Sequence, residues 1–325
     1  MGTRVRGAAL VTGATGAIGL KLVEALVSVG YSVRVLVRRR PAPHTLPDGV
    51  DTVVGDIGDR QALIQAVDKM DIVFHLAAKL HLQARGTDAS VREDYERVNV
   101  DATRDLAEAS ARAGVRRFVY FSTIAVYGPS RPDEILDEAS PLRPQSVYAE
   151  TKMRGERAAM HGPSVVILRL AAVYGRRVKG NYHQLVRGIQ RGIFVRVGLG
   201  INRRTLVHEH DVTRAAILAG ENAASGRIYN VTDGDVHKVR EIVDAISAAL
   251  GRRLLPGHLP VAPTRFIVGM IEDALRLTGR SSPIGRDTLD KLVEDVAVSG
   301  RNLQTDLGFQ PVFDLTAGWR EALAR

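Results

Sequence analysis

The chain of 325 residues contains no cysteine. Disulfides, thiolate-ligated zinc and cysteine nucleophiles are thereby excluded, and a cytoplasmic home is the expectation. Aromatic residues make up only 5%, which argues against the base-stacking platforms of single-strand nucleic-acid modules. No stretch reaches the roughly 18 uninterrupted apolar residues of a membrane span, and Met1–Arg6 runs directly into an apolar segment without the pattern of a signal peptide. Neither a membrane nor a nucleic-acid partner is therefore expected. Lysine is rare as well, supplying 7 of the 45 basic residues. The formal charge of +9 is spread along the sequence, so it reads as a solvated, arginine-rich surface that would also draw anionic, nucleotide-type substrates. With 45% hydrophobic residues, the chain can bury a large core, and one large or two closely packed domains are expected.

What is present begins near the amino end. The apolar run Gly7 to Thr12 ends at Gly13-Ala-Thr15-Gly16-Ala17-Ile18-Gly19, after which Leu20, Leu22, Val23, Leu26 and Val27 recur at helical spacing. This predicts a strand, a glycine turn and a helix. Glycine allows positive φ and lets backbone N–H groups approach a pyrophosphate, which then rests at the positive end of the helix. The spacing is Gly-x-x-Gly-x-x-Gly rather than the Gly-x-Gly-x-x-Gly of the commonest dinucleotide fingerprint.

A second strand, Ser32 to Val37, ends in Arg38-Arg39-Arg40. An acidic residue at such a position accepts the ribose hydroxyls of NAD, whereas a cation accommodates the 2′-phosphate of NADP. Arg38 therefore tips the expectation from NAD toward NADP. Val50 to Gly55 reads as a third strand leading to Asp56 and Ile57, candidate adenine contacts. Asp71 to His75 is the fourth, emptying into Leu76-Ala77-Ala78, where small residues let a cofactor approach. His75 reads as a packed strand-end histidine, and His208 and His210 lack the partners of a metal site. Further strands at Arg117–Phe121 and Ser164–Leu168 complete an alternating pattern that predicts an α/β fold, a doubly wound parallel sheet with ligands at the carboxyl ends of its strands. The acidic, proline-containing loop from Pro129 to Pro144 lies where it would cover such a site.

Tyr148 and Lys152 stand four residues apart, so on a helix they share a face. A phenol with a pKa near ~10 is a poor base, and a neighbouring ammonium favours the phenolate. With 8 tyrosines and 7 lysines by count, chance supplies Tyr-x-x-x-Lys roughly 0.2 times in a chain of this length, so the pair carries weight only in company.

That company identifies a family. Gly13, Gly16 and Gly19, Asp56, His75-Leu-Ala-Ala78, Asn99, Phe121-Ser-Thr-Ile-Ala-Val-Tyr-Gly128, Tyr148 with Lys152, and Arg169-Leu-Ala-Ala-Val-Tyr-Gly175 resemble the extended short-chain dehydrogenase/reductases, in particular the NAD(P)-dependent sugar epimerase/dehydratase branch. The resemblance implies that Thr123 hydrogen-bonds the reacting oxygen, that Tyr148 is the general acid/base, and that Lys152 binds the nicotinamide ribose and lowers the tyrosine pKa. It places Asn99 in support of the cofactor geometry, and Gly13 to Gly19 and Asp56 with Ile57 in the pyrophosphate and adenine pockets. Arg204, in Gly200 to Val212, resembles the arginine that grips a sugar-nucleotide diphosphate, work that suits a guanidinium fork.

Two departures narrow the chemistry. Thr123-Ile124-Ala125 stands where the dehydratases carry Thr-Asp-Glu, so 4,6-dehydration is not expected, and Ala172 replaces an asparagine common near the substrate phosphates of nucleotide-sugar epimerases. The leading expectation is a UDP-hexose 4-epimerase type of enzyme acting on a nucleoside-diphosphate sugar through a transient 4-keto intermediate. The alternative is an NADPH-dependent reductase or dehydrogenase of a keto-sugar, steroid or other alcohol. A non-catalytic dinucleotide sensor would keep the glycine loop without needing Thr123, Tyr148 and Lys152 together. The resemblance further implies a homodimer, with residues 1–175 and roughly 205–235 binding NAD(P) and roughly 176–204 and 236–325 binding substrate through a mixed, smaller domain.

Overall fold

In the computed structural model, residues 6–80, 89–178, 181–255, 257–278 and 285–324 are described. The amino-terminal part alternates except between β2 and β3, which a loop joins: β1 (Gly7–Thr12), α1 (Ala17–Ser28), β2 (Tyr31–Val37), β3 (Asp51–Val54), α2 (Arg60–Val67) and β4 (Ile72–His75). Then come α3 (Ala89–Glu96), a π-turn (Arg97–Asp101), α4 (Ala102–Arg112), β5 (Arg117–Thr123), a 3₁₀ turn (Ile124–Tyr127), α5 (Val147–Ala159) and β6 (Val165–Leu170). A return segment follows, with β7 (Ala172–Tyr174), α6 (Asn181–Gln190), β8 (Arg196–Val197), β9 (Arg203–Arg204), β10 (Leu206–His208), α7 (Glu209–Asn222) and β11 (Arg227–Val231). The carboxyl part holds β12 (His237–Lys238), α8 (Val239–Ala249), β13 (His258–Leu259), α9 (Val261–Leu277), α10 (Arg286–Val293), α11 (Arg301–Leu307) and α12 (Leu315–Leu323).

Seven strands form one sheet in the order β11-β6-β5-β4-β1-β2-β3, and every pairing within it is parallel. This is the doubly wound architecture that the alternating pattern predicts, a Rossmann-like α/β fold. The central strands are mostly apolar because both faces are covered, and their buried polar residues, Thr12, His75, Ser122 and Arg169, lie toward the carboxyl ends. Successive side chains on one strand enter different cores: Ala9 and Val11 of β1 join Leu22 and Leu26 of α1 and Ala215 and Ala219 of α7. Leu10 points the other way, toward Leu63 of α2 and Leu106 of α4. The period of two recurs in β6, where Val166 and Leu168 belong to the first core and Val165 and Ile167 to the second.

A third core lies outside the sheet. Tyr174, Val186, Leu206, Ile242, Ile246 and Trp319 bring β7, α6, β10, α8 and α12 together, with Tyr174 stacked on Trp319 at 4.5 Å between ring centres. Here the chain crosses between its parts. β7 and β10 pair parallel beside the main sheet, β11 then enters that sheet next to β6, and β9 pairs antiparallel with β12. The long surface helix α9 and its neighbour α10 correspond to nothing that the sequence pattern had marked.

Candidate active site

The sheet reverses direction of strand order at β1 and β4, and the residues that leave those two strands define a cleft mouth. Gly13 has φ of 71°, and a Cβ there would lie 2.8 Å from the amide nitrogen of Ala77. Only glycine lets the turn after β1 pass this close to the chain leaving β4. Gly16 caps α1 without a side-chain hydrogen bond, and the first turn contains no acidic residue. The helix therefore begins with open N–H groups on Ala17, Ile18 and Gly19, and Thr15 and Gly16 are exposed beside them. A positive helix end, uncapped and fronted by a bare backbone turn, fits a pyrophosphate.

The remaining nucleotide candidates stand at the carboxyl ends of neighbouring strands. Arg38 is exposed after β2. Asp56, exposed after β3, accepts a hydrogen bond from the Gly58 amide at 2.9 Å and lies 3.6 Å from the Arg97 guanidinium. Ile57 is half-buried against the second core, and Leu76, Ala77 and Ala78 are half-buried where β4 ends.

Thr123 is the last residue of β5, and its Oγ1 accepts from the Ala125 amide at 3.2 Å, so it also caps the 3₁₀ turn. Tyr148 and Lys152 lie on α5, which Ser146 caps by accepting from the Ala149 amide at 3.2 Å. Lys152 is buried, 2% exposed, with Nζ 4.0 Å from the centre of the Tyr120 ring. Burial pulls its pKa down to about 7, against the opposing charge of Glu156. The same burial, joined by Tyr95, pushes Tyr148 up to about 12. Burial sets both shifts, the amine downward and the phenol upward.

Two buried networks hold these groups in place, and sequence reasoning had found neither. The first centres on His75, which is fully buried and driven down to about 3 by burial, with Lys152 adding to the effect. Its Nδ1 lies 2.7 Å from Thr12 Oγ1 and its Nε2 2.9 Å from Thr103 Oγ1. Thr103 donates its hydroxyl to the Asn99 carbonyl at 2.9 Å, so it must accept from Nε2–H, and Nδ1 must accept from Thr12. Thr12 in turn accepts from the Ala77 amide at 3.2 Å. One ordered chain of donors thus runs from the chain leaving β4, through the strand before the glycine turn, to the π-turn.

Asn99 continues it. Its Oδ1 accepts from the Lys79 amide at 2.8 Å and its Nδ2 donates to Thr151 Oγ1 at 3.1 Å. The expected supporting residue therefore links the loop after β4 to the helix carrying Tyr148 and Lys152, from a π-turn of the sort that often marks functional positions.

The second network lies one turn beyond Lys152. Glu156 and Arg169 form a buried bidentate pair, Nε to Oε1 at 2.9 Å and Nη2 to Oε2 at 2.7 Å. Ser122, next to Thr123, donates to Glu156 at 2.5 Å. Arg169 also donates to the Tyr127 hydroxyl at 2.8 Å, and Tyr127 donates to Asn230 Oδ1 at 2.9 Å. The motif segments around Phe121 and Arg169 signalled these residues without revealing that they meet.

Arg204 sits apart on β9, half-buried, paired across to His237. Its charge works to lower the pKa of Tyr182, which burial nonetheless pushes up to about 12. His237 Nε2 lies 2.8 Å from Asp233 Oδ2 in the same neighbourhood. The adjacent Arg203 turns instead to Asp295, with Nη2 to Oδ2 at 2.9 Å. The loop from Pro129 to Pro144 is stitched to residues 295–299: Ser130 donates to the Asp295 carbonyl and Leu136 to that of Ala297, both at 2.9 Å. Among the described residues, no group of three or more metal-ligating side chains occurs.

The sequence matches the NAD dependent epimerase/dehydratase family over residues 9–232. The N-acetyl-α-D-glucosaminyl-diphospho-ditrans,octacis-undecaprenol 4-epimerase of Escherichia coli O157:H7 is 27% identical over 318 residues, which cover 95% of this chain and 92% of that protein. A 4-hydroxy-2-methyl-3-oxo-4-farnesyl-3,4-dihydroquinoline-1-oxide ketoreductase of Stigmatella aurantiaca is 29% identical over 308 residues, 92% of this chain and 90% of that protein. The solved structure of MoeE5 in complex with UDP-glucuronic acid and NAD is similar at a TM-score of 0.75 and 28% identity, covering 98% of both chains.

Proposed function

We propose that this chain, which belongs to the NAD-dependent epimerase/dehydratase family, is an NAD(P)-dependent nucleoside-diphosphate-sugar 4-epimerase of the extended short-chain dehydrogenase/reductase type. The observation that carries the reading is the attachment of the Tyr148–Lys152 helix, through Asn99, to the loop that leaves the cofactor edge of the sheet. The open start of α1 and the Gly13 turn would hold the pyrophosphate, Asp56 and Ile57 the adenine, and Lys152 the nicotinamide ribose. When bound, the nicotinamide supplies a reversible hydride acceptor.

The chain's own residues handle protons and orientation. Thr123 hydrogen-bonds the C4 oxygen of the sugar at the end of β5. Tyr148 removes the C4 hydroxyl proton as the carbinol becomes a 4-keto sugar, and returns it once the opposite face has been reduced. A phenol raised to about 12 is a poor base, so Lys152 must carry its charge during this step; the phosphates of a bound nucleotide favour that charge, and the ammonium then favours the phenolate. Arg204 anchors the diphosphate while the sugar turns over. In this reading residues 1–175 and roughly 205–235 form the cofactor-binding domain and roughly 176–204 with 236–325 the substrate-binding domain, of a cytoplasmic homodimer.

A net reductase is the second reading, favoured by the exposed Arg38 at the NADP position and by Ala172. One assay separates the two. An epimerase interconverts UDP-glucose and UDP-galactose, or a related UDP-sugar pair, with no net change at the reduced-nicotinamide absorbance band. Stoichiometric consumption of NADPH with a ketone substrate, and no interconversion, would overturn the epimerase.

A further inference from the structure

Helix α9 is built inside out. Pro263, Phe266, Ile267, Met270, Ile271 and Ala274 are all exposed, and the four large ones are 69%, 56%, 57% and 51% accessible. At about 100° per residue they make one apolar stripe roughly 140° wide, the kind that a globular helix normally turns toward its core. The opposite face carries the polar contacts: Glu272 is buried and accepts from the Arg286 amide at 3.0 Å, and a Cβ on Gly269 would meet the Arg286 guanidinium. The orientation is thus fixed by α10, and the apolar stripe faces outward.

A second apolar cluster lies at the start of the helix. β13, just before α9, pairs with β8, and a groove of about 350 Å³ lined by Val197, Leu199, Ile201, Pro260 and Val261 opens at the foot of α9. Leu199, Ile201 and Leu259 are exposed there. The segment that contributes β8 is strongly basic. Residues 176–204 contain seven arginines, one lysine and no aspartate or glutamate. Arg187 and Arg191 are exposed at the end of α6, and Arg252 and Arg253 are exposed just before β13; Gln190 and Arg252 line one hollow.

We propose that this face docks on an anionic phospholipid bilayer, with α9 lying in the plane of the interface and its stripe among the acyl chains. The apolar stripe fits the acyl region and the exposed Arg187, Arg191, Arg252 and Arg253 fit the lipid phosphates. A second copy of the chain fits less well, since a twofold contact through the stripe would set the two basic segments beside each other. No helix of the described residues is long and apolar enough to cross a membrane, so docking is superficial and reversible. The expectation of no membrane partner rested on the lack of a spanning run, and a surface helix needs none. The site built on Tyr148 would then work on substrates presented at a membrane surface as well as in solution.

The test is sedimentation of the full chain with vesicles, which requires no turnover and so stands or falls apart from the catalytic reading. The protein should pellet with vesicles of phosphatidylcholine containing about a third phosphatidylglycerol and stay in the supernatant with phosphatidylcholine alone. Phe266→Ser with Ile271→Ser should reduce binding at least about tenfold, while Arg191→Glu and Arg253→Glu should each reduce it roughly fivefold or more. All variants should keep wild-type circular dichroism and wild-type turnover of a soluble UDP-sugar. Failure of the wild-type chain to bind the anionic vesicles overturns the proposal. So does a dimer in light scattering that the Phe266→Ser, Ile271→Ser variant dissolves, because the stripe would then be a subunit interface.

Discussion

His75 is a single side chain to which two other buried hydroxyls each make a hydrogen bond. Replacing it with leucine leaves the Thr12 and Thr103 hydroxyls without their shared partner. The expected cost is about 1–3 kcal/mol in urea unfolding, because each hydroxyl loses one of its two hydrogen bonds and keeps the other, to the Ala77 amide and the Asn99 carbonyl. An unchanged midpoint would show that water or rotation satisfies them instead. Lys152 makes a different prediction, in pH. Its folded pKa near about 7 lies below the ordinary lysine value of ~10.4, so between those values the unfolded chain binds more protons than the folded one. The destabilisation from charging this buried amine is complete below pH 7 and fades as pH rises through the window. Nucleotide-free protein should therefore gain on the order of 3–5 kcal/mol from this group between about pH 7 and 10, and Lys152→Met should flatten that slope in chemical denaturation. An identical slope in the variant would contradict the burial. Tyr148 and Lys152 were legible in the sequence because four residues of helix place them together. The partners of His75 were not, because Thr12 is 63 residues away and Thr103 is 28.

At the scale of elements, α5 is held from both sides: by Asn99 through Thr151, and by Arg169 of β6 through Glu156. Taking away one half of a buried, bidentate pair leaves an uncompensated charge, so Glu156→Gln or Arg169→Met should each destabilise by about 3–5 kcal/mol. The double replacement should cost clearly less than the sum, and additivity in that cycle would mean that the pair is not coupled. The glycine turn and α1 were readable because their signals are local, with an apolar run, three glycines and a helical repeat in sequence. By contrast, the outward orientation of α9 was not legible, for a physical reason. Hydrophobic periodicity reports that a helix has an apolar face, and it carries no information on whether that face meets the core or the outside. The loop from Pro129 to Pro144 was read as a cover, and its backbone bonds to residues 295–299 show what fixes it, a contact between segments too distant for any local pattern to reveal.

For the whole molecule, alternation of apolar runs and amphipathic segments dictated the parallel sheet, and the chain's return to that sheet at β11 depends on the crossing near β7 and β10. That crossing puts Arg204 on β9, which pairs with β12 outside the main sheet. Every role in the proposed reaction then passes through one phenol, which must give and take the same proton. The most direct test is Tyr148→Phe, with turnover of a UDP-sugar pair and nucleotide binding measured on the same preparation. Loss of proton transfer should lower kcat by about a hundredfold or more, with nucleotide affinity and melting temperature close to wild type; wild-type turnover in that variant would contradict the assignment of Tyr148 as the acid/base.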